Sequence, residues 1–108
     1  YGGSVDRCDS SFGIDYKQAL SLFRKLAEQG HADAQFELAQ MYNDGVGVTQ
    51  NDVLAIYWYR KAAEQGVASA QFRLGIKYKL GQGFQQDDTL AQEWFKKAYS
   101  NGYPREES

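Results

Sequence analysis

Hydrophobic positions recur with helical spacing in the middle of the chain. Between residues 52 and 65 they fall at i, i+3, i+4, i+7 and i+8, and are occupied by Ala55, Trp58, Tyr59, Ala62 and Ala63. This spacing places the five side chains on one face of an α-helix, with polar residues at most other positions. The pattern therefore predicts an amphipathic helix over 52–65.

The ends of this helix carry suitable capping residues. The side chain of Asn51 or Asp52 can accept a hydrogen bond from a free backbone N–H at the helix start. Gly66 can adopt the left-handed conformation that ends a helix. After a very short turn, a second helix is predicted over 67–80, with three residues on its packing side: Ala70, Leu74 and Tyr78.

Small residues in this second helix predict a close contact between helices. Ala70 and Gly75 have little or no side-chain volume, so a neighbouring helix can come near. Because protein interiors are close-packed, a large side chain must fill the space that remains. We expect Trp58 or Trp94 to fill it.

The sequence of this helix pair occurs twice in the chain. Residues 27–36 read AEQGHADAQF and residues 63–72 read AEQGVASAQF, and Gly30, Gly66 and Gly102 lie 36 positions apart. A Gly-x-Gly loop also recurs, at 45–47 and 81–83, and Trp58 recurs as Trp94. An earlier half-copy supplies a lone helix at 15–29. A fixed period between 20 and 50 residues indicates a stacked array of structural repeats.

These motifs resemble those of a known family. The pattern A-Q-x-x-L-[AG]-x-x-Y-x-x-G-x-G, followed by D-x-x-A-x-x-W-[YF]-x-K-A, is similar to the Sel1-like repeat, a relative of the tetratricopeptide repeat. The resemblance implies an all-α fold, an α/α solenoid with a right-handed superhelix of about five helices. It divides the chain into four parts: a flexible leader at 1–14, the second helix of a partial repeat at 15–30, full repeats at about 31–66 and 67–102, and a tail at 103–108.

Both ends of the solenoid depart from the repeat pattern. Tyr99 stands where the earlier units have the small residues Ala27 and Ala63, so we expect it to close the site for a following helix. Pro104 and the charged tail after it also argue against continuation. The helix at 15–29 lacks its first partner, and we expect the array to end near residue 102 and to have been cut from a longer chain at its N-terminus.

Composition and charge exclude several classes of function. The chain has 108 residues, of which 43% are hydrophobic and 24% charged, and its formal net charge is −2. This is the composition of a soluble globular domain, without the basic excess of a nucleic-acid binder. No apolar run approaches the ~20 residues that span a bilayer. We therefore expect no nucleic-acid partner and no membrane span.

No set of residues predicts catalysis, a metal or a cofactor. Cys8 is the single cysteine and His31 the single histidine, so a Cys/His zinc site cannot be assembled. His31 stands beside a turn glycine and is interpreted as solvent-facing. Asp87 and Asp88 sit at a helix start, where capping and the helix dipole explain them. The Gly-x-Gly loops lack the strand and the Gly-Lys-Ser/Thr of a phosphate loop.

A second apolar stripe predicts a binding face on the first helix of each unit. Phe72 and Ile76 fall almost opposite the packing side of their helix. By the tetratricopeptide resemblance, this side of the first helices lines a concave groove. We define the groove surface by eight partner-binding candidates: Asp33, Phe36, Gln40, Asn43, Ser69, Phe72, Ile76 and Lys79. The alternative is that Phe36 and Phe72 only seal adjacent repeats.

A row of cations runs along the second helices. This basic stripe, formed by Arg24, Arg60 and Lys96, would suit an acidic partner. The alternative is a solvated convex face, because lysine and arginine favour helices and because Glu28 and Glu64 lie four residues beyond the two arginines.

These features lead to a ranking of functions. The first hypothesis is a non-catalytic adaptor or scaffold that binds a protein or peptide in the concave groove. The second is a structural segment that self-associates through its open N-terminal end, and an enzyme acting on a polymeric substrate comes last. Family resemblance is compatible with a bacterial periplasmic or secreted location after signal removal, but the residues do not fix the compartment.

Overall fold

The computed structural model describes residues 16–104, and within that range it contains five α-helices and no β-strand. They are α1 (Tyr16–Glu28), α2 (Ala32–Asp44), α3 (Asp52–Glu64), α4 (Ala68–Leu80) and α5 (Asp88–Ser100). Each helix packs against the next along the chain. The all-α solenoid predicted from the repeat is therefore confirmed. The leader, with Cys8, and the last four residues lie outside the described range.

Short turns after α1, α3 and α5 are closed by the three glycines of the 36-residue period. Gly30, Gly66 and Gly102 have φ values of +96°, +94° and +98°. The residue after each glycine then donates its backbone N–H to a carbonyl within the preceding helix, as Val67 does to Ala62 at 3.2 Å. This bonding satisfies the free carbonyls of a helix end and turns the chain back along the same helix.

Longer loops separate α2 from α3 and α4 from α5, and their polar residues start the next helix. Asn51 Oδ1 accepts the backbone N–H of Leu54 at 3.0 Å, and Asp87 Oδ1 accepts that of Leu90 at 3.0 Å. Of the two residues that could cap α3, Asn51 is the one that does so.

The second glycine of each Gly-x-Gly loop allows a close approach between neighbouring units. A Cβ atom at Gly83 would lie 2.5 Å from Ile56 Cδ1 and 3.0 Å from Asp52 Cβ. A Cβ atom at Gly47 would lie 2.7 Å from Tyr16 Cβ. The loop of each unit therefore packs against the start of the second helix of the preceding unit.

The core consists mainly of alanines with a few large side chains. Leu38, Tyr59 and Leu74 are the largest fully buried residues. Gly75 provides the close contact that the sequence predicted, but the side chain nearest to it belongs to Phe95, at 2.7 Å from a would-be Cβ. The expectation that Trp58 or Trp94 fills this space is wrong. Both tryptophans are half-buried and pack against the edge of the core.

Candidate protein-binding surface

Two buried glutamines fix the position of the first helices. Gln35 donates through Nε2 to the backbone carbonyl of Ala27 at 3.1 Å, and its Oε1 accepts a hydrogen bond from Gln65 Nε2 at 2.9 Å. The second unit repeats this arrangement one period later with Gln71, Ala63 and Asn101. Each glutamine thus joins its helix to the ends of two others, so α2 and α4 are held at a fixed spacing.

Three of the predicted groove residues on α2 make contacts within the chain. The ring of Phe36 lies 5.8 Å from that of Tyr59, and Gln40 accepts a hydrogen bond from the Tyr59 hydroxyl. Asn43 accepts one from Lys77. All three groove residues are half-buried. Their inward contacts give them a packing role, whatever else they bind.

Burial changes the acidity of the Tyr59 hydroxyl. Loss of solvent raises the pKa of Tyr59 well above its ordinary value. The positive charge of Arg73 opposes this shift, while Asp44 and Glu37 add to it. Charges from both α2 and α4 thus act on the hydroxyl that donates to Gln40.

Phe72 lies in an aromatic cluster at the C-terminal end of the solenoid. Its ring stacks on Tyr103 with centroids 4.3 Å apart and lies 5.2 Å from Phe95 and 6.3 Å from Tyr99. A cleft of about 390 Å³ is lined by Phe72, the two tyrosines and Pro104. Tyr103 is equivalent to Val67 of the preceding unit, so a tyrosine ring covers Phe72 where the earlier copy has an aliphatic side chain.

The other four groove residues are accessible. Asp33 on α2 and Lys79 on α4 are exposed, and Ser69 and Ile76 on α4 are half-buried. These four residues retain the access that a partner needs, and the assignment of the groove surface to partner binding stays a prediction.

The residues of the basic stripe do not share one environment. Arg24 donates to the Tyr42 hydroxyl at 2.7 Å, and Arg60 donates to the equivalent hydroxyl of Tyr78. Lys96 is exposed. The two arginines thus tie a second helix to the first helix of the next unit. The arginine–tyrosine contact occurs in both units, 36 residues apart. The recurrence of both residues is visible in the sequence, although the helical pattern does not indicate that their side chains meet.

Lys77 on α4 is buried, which the helical pattern did not predict. Lys77 is only 6% exposed, although it replaces the apolar Met41 of the preceding unit. Its Nζ atom lies 2.9 Å from Asp52 Oδ1 and also donates to Asn43. This contact lowers the pKa of Asp52, mainly through the hydrogen bond from Lys77. The cluster joins α4 to both helices of the preceding unit.

A further cleft opens at the N-terminal end. This N-terminal cleft has a volume of about 310 Å³ and lies between α1 and α2. Apolar and aromatic side chains form much of its lining, including Tyr16, Phe23 and Met41, while Glu37 and Asp44 border it. Both acidic residues are exposed. An open N-terminal end was expected from the repeat pattern, but the pattern did not indicate these lining residues.

The two first helices carry opposite charges. Helix α2 has three acidic residues and no basic one, whereas α4 has three basic residues and no acidic one: Asp33, Glu37 and Asp44 against Arg73, Lys77 and Lys79. The exposed surface of the first helices therefore changes from acidic on α2 to basic on α4, where Lys77 alone of the three cations is buried.

Within residues 16–104, no group of three or more His, Cys, Asp or Glu side chains is placed to hold a metal ion. His31 is exposed at the turn before α2, as its position beside a glycine indicated. None of the five helices is long and apolar enough to cross a membrane.

Repeated helix pairs in one orientation, joined by the same glutamine and tyrosine contacts in each unit, define an α/α repeat protein. The Sel1 repeat family model matches residues 10–31, 32–67 and 68–103. The chain therefore belongs to the Sel1 repeat family, whose repeats generally serve as protein-interaction modules.

Two solved structures share this fold. A Sel1 repeat protein from Oxalobacter formigenes is 43% identical, with a TM-score of 0.75, over 77% of this chain and 63% of that protein. A protective antigen present in uropathogenic Escherichia coli strains, which displays an SLR fold, is 37% identical, with a TM-score of 0.83. That match covers 90% of this chain and 21% of the antigen.

A curated relative matches over one repeat. An exopolysaccharide production negative regulator from Rhizobium leguminosarum bv. viciae is 47% identical over 36 residues, which make up 33% of this chain and 14% of the regulator. The chain thus corresponds to a small part of that regulator and to 63% or less of each of the two structural neighbours.

Proposed function

We propose that the chain is a non-catalytic protein-interaction module that binds a peptide or an extended segment of a partner along the groove surface. The observation that carries this proposal is the row of accessible side chains on α2 and α4, helices that the two buried glutamines hold in place. Helical repeat arrays use such faces to bind extended peptides or helices.

The charges of the groove side specify what the partner should carry. Asp33 in the groove surface, with Glu37 one turn away on α2, favours a basic segment, while Lys79 and the exposed Arg73 on α4 favour an acidic one. Half-buried Ile76 lies on α4 between Arg73 and Lys79 and provides an apolar contact within the basic region. We therefore expect a segment with a basic end that faces α2 and an acidic end, carrying an apolar residue, that faces Ile76.

Selection from a displayed random-peptide library, followed by measurement of peptide Kd values on the whole chain, tests this proposal. Ile76→Asp and Lys79→Glu should together weaken the selected peptides at least about tenfold, since they remove the apolar contact and reverse a charge. The matched control combines Tyr57→Asp and Lys61→Glu on α3, where both residues are exposed. It should leave the Kd values unchanged.

Two results would contradict the groove assignment. One is selection of peptides that bind the Ile76→Asp, Lys79→Glu variant as tightly as the unaltered chain. The other is an equal loss of affinity in the control variant, which would indicate a general effect of charge. Circular dichroism of each variant shows whether the fold is retained.

A further inference from the structure

The turn after α5 contains an asparagine followed by a glycine, Asn101 and Gly102. At the equivalent position before the two earlier turn glycines the chain has a glutamine, Gln29 or Gln65. Asparagine is a thermolabile residue, and it loses its amide most readily before glycine, which has no side chain to hinder the approach of its own nitrogen. Glutamine must close a larger ring and reacts more slowly. One of the three turns therefore carries a reactive amide that the other two lack.

The structure leaves room for this reaction at the turn. Gly102 has a φ of +98°, and a Cβ atom built there would meet no other atom of the described residues within 4 Å. Asn101 is exposed, so water reaches its side chain. The backbone N–H of Gly102 donates to the Tyr99 carbonyl at 3.2 Å, a longer bond than the 2.9 Å from the Tyr103 N–H to the Ala98 carbonyl. The nitrogen that has to react is thus the more weakly held of the two.

The amide of Asn101 also joins α5 to α4. Its Nδ2 atom donates to Gln71 Oε1 at 2.9 Å, and Gln71 Nε2 donates to the backbone carbonyl of Ala63 at 3.0 Å. Because Gln71 uses its own donor on that carbonyl, its oxygen requires a donor from the other side. An amide supplies one, whereas an ionised carboxylate can only accept. Loss of the amide would therefore remove this contact.

We infer that Asn101 is a site of spontaneous deamidation, and that the reaction releases the end of α5 from Gln71. The backbone nitrogen of Gly102 attacks Cγ of Asn101, so that an N–C bond forms while the bond from Cγ to Nδ2 breaks. The proton of the attacking nitrogen is transferred to the leaving group, which departs as ammonia. Water then opens the cyclic imide at either carbonyl and gives aspartate or isoaspartate. The net reaction consumes one water and releases one ammonia, without an oxidant or a reductant.

Both products alter the C-terminal end of the solenoid. Each of them places a carboxylate beside the oxygen of Gln71, where two acceptors face each other. Isoaspartate also lengthens the backbone of the turn, because the chain then runs through the side-chain carbons of residue 101. The ring of Tyr103 follows this turn and stacks on Phe72 with centroids 4.3 Å apart. The modification therefore displaces the ring that covers Phe72, one of the residues of the groove surface.

Peptide mapping by mass spectrometry measures the modification after the whole chain has been kept in mildly alkaline buffer. Asn101 should convert to a mixture of aspartate and isoaspartate, and the same chain unfolded in urea gives the reference rate. The folded chain should react roughly tenfold more slowly than the unfolded chain, because hydrogen bonds at an exposed helix end open readily. Asn43 and Asn51 are each followed by aspartate, and in the unfolded chain they should react at least about tenfold more slowly than Asn101.

Three variants separate the modification from its effect on stability. Asn101→Gln introduces the residue of the preceding unit, where Gln65 makes the same contact to Gln35, and it should retain both its mass and its urea midpoint during the incubation. Asn101→Asp should unfold at a lower urea concentration than the unaltered chain, as should the deamidated chain itself. Gln29→Glu adds the same charge at the equivalent position after α1, so it reports the effect of an acid at a helix C-terminus and should lower the midpoint less.

Two kinds of result would overturn the inference. The site is wrong if Asn101 keeps its amide in the folded chain over the time in which the unfolded chain converts completely. The role of the amide is wrong if conversion leaves the urea midpoint unchanged, or if Asn101→Asp and Gln29→Glu lower it equally. Neither readout involves peptide binding, so failure here leaves the proposed function standing.

Discussion

The two partners of the buried ion pair should respond very differently to mutation. Lys77 has 7% of its side chain exposed and Asp52 has 34%. Replacing Asp52 by alanine leaves a buried ammonium group with Asn43 as its acceptor. Replacing Lys77 by methionine reproduces the residue of the preceding unit, Met41, and leaves a carboxylate that reaches water. The first change should therefore cost far more stability than the second.

The structure sets the size of this difference. Removing one partner of a fully buried pair typically costs about 3–5 kcal/mol. Asp52→Ala should lower the free energy of unfolding by about 1–2 kcal/mol, because Asp52 is one-third exposed and because Asn43 still accepts a hydrogen bond from Lys77. For a domain of this size, such a loss lowers the Tm by roughly 5–12 °C. Lys77→Met should change the free energy of unfolding by about 1 kcal/mol or less.

Urea denaturation followed by circular dichroism measures both changes. Asp88→Ala is the matched control, since Asp88 is also the first residue of its helix but is exposed, so it reports the loss of an acid at a helix N-terminus alone. When Lys77→Met has already removed the ion pair, Asp52→Ala should lower the free energy of unfolding by no more than Asp88→Ala does. Equal losses of unfolding free energy for Asp52→Ala and Asp88→Ala in the unaltered chain would show that the ion pair adds no stability.

The same pair predicts a pH dependence. Lys77 lowers the pKa of Asp52 in the folded state below its unfolded value of 3.8. The unfolded chain therefore binds this proton more tightly, so the contribution to stability is present above about pH 4 and is lost as the pH falls. Lys77→Met should reduce the difference in unfolding free energy between pH 6 and pH 3. An unchanged difference would show that other carboxylates account for the acid sensitivity.

Two further substitutions test the contacts between units, each by urea denaturation. Gly83→Ala should lower the free energy of unfolding by about 1–3 kcal/mol more than Gly66→Ala does. Both glycines have positive φ, but only at Gly83 would the added Cβ meet Ile56. Equal losses would show that backbone strain alone matters. Gln71→Leu should lower the free energy of unfolding by about 1–3 kcal/mol, since it removes two hydrogen bonds between helices, one to the Ala63 carbonyl and one from Asn101. A loss below about 0.5 kcal/mol would contradict the role of the glutamine in joining the units.

Helical spacing and turn residues predicted the two helices of one unit, and the 36-residue repeat with the family resemblance extended them to about five helices. The predicted helix over 67–80 differs by one residue from α4, and the predicted helix over 52–65 differs by one residue from α3. Glycines at a fixed period identified the turns because a positive φ suits glycine far better than other residues. These are local properties, so the sequence contains them directly.

Contacts across helices could not be predicted in the same way. A helical pattern shows which side chains share a face, but it does not show which side chain of another helix lies opposite. For this reason Phe95 rather than a tryptophan lies against Gly75, and Lys77, which as a lysine would be expected in solvent, is buried against Asp52. Residues such as Gln40 have polar partners that only the arrangement of α2 and α3 reveals.

Comparison of the two repeats separates packing from recognition. Positions that keep the same residue, such as Gln35 and Gln71, make the same contacts in both units, and those contacts require the shared geometry. Positions that change charge, such as Glu37 and Arg73, are exposed on the first helices, where the backbone is already fixed by the shared residues. A change there alters the field that a partner meets without altering the fold. The binding residues proposed for this chain are therefore best sought where its own copies differ, as they do at Glu37 and Arg73.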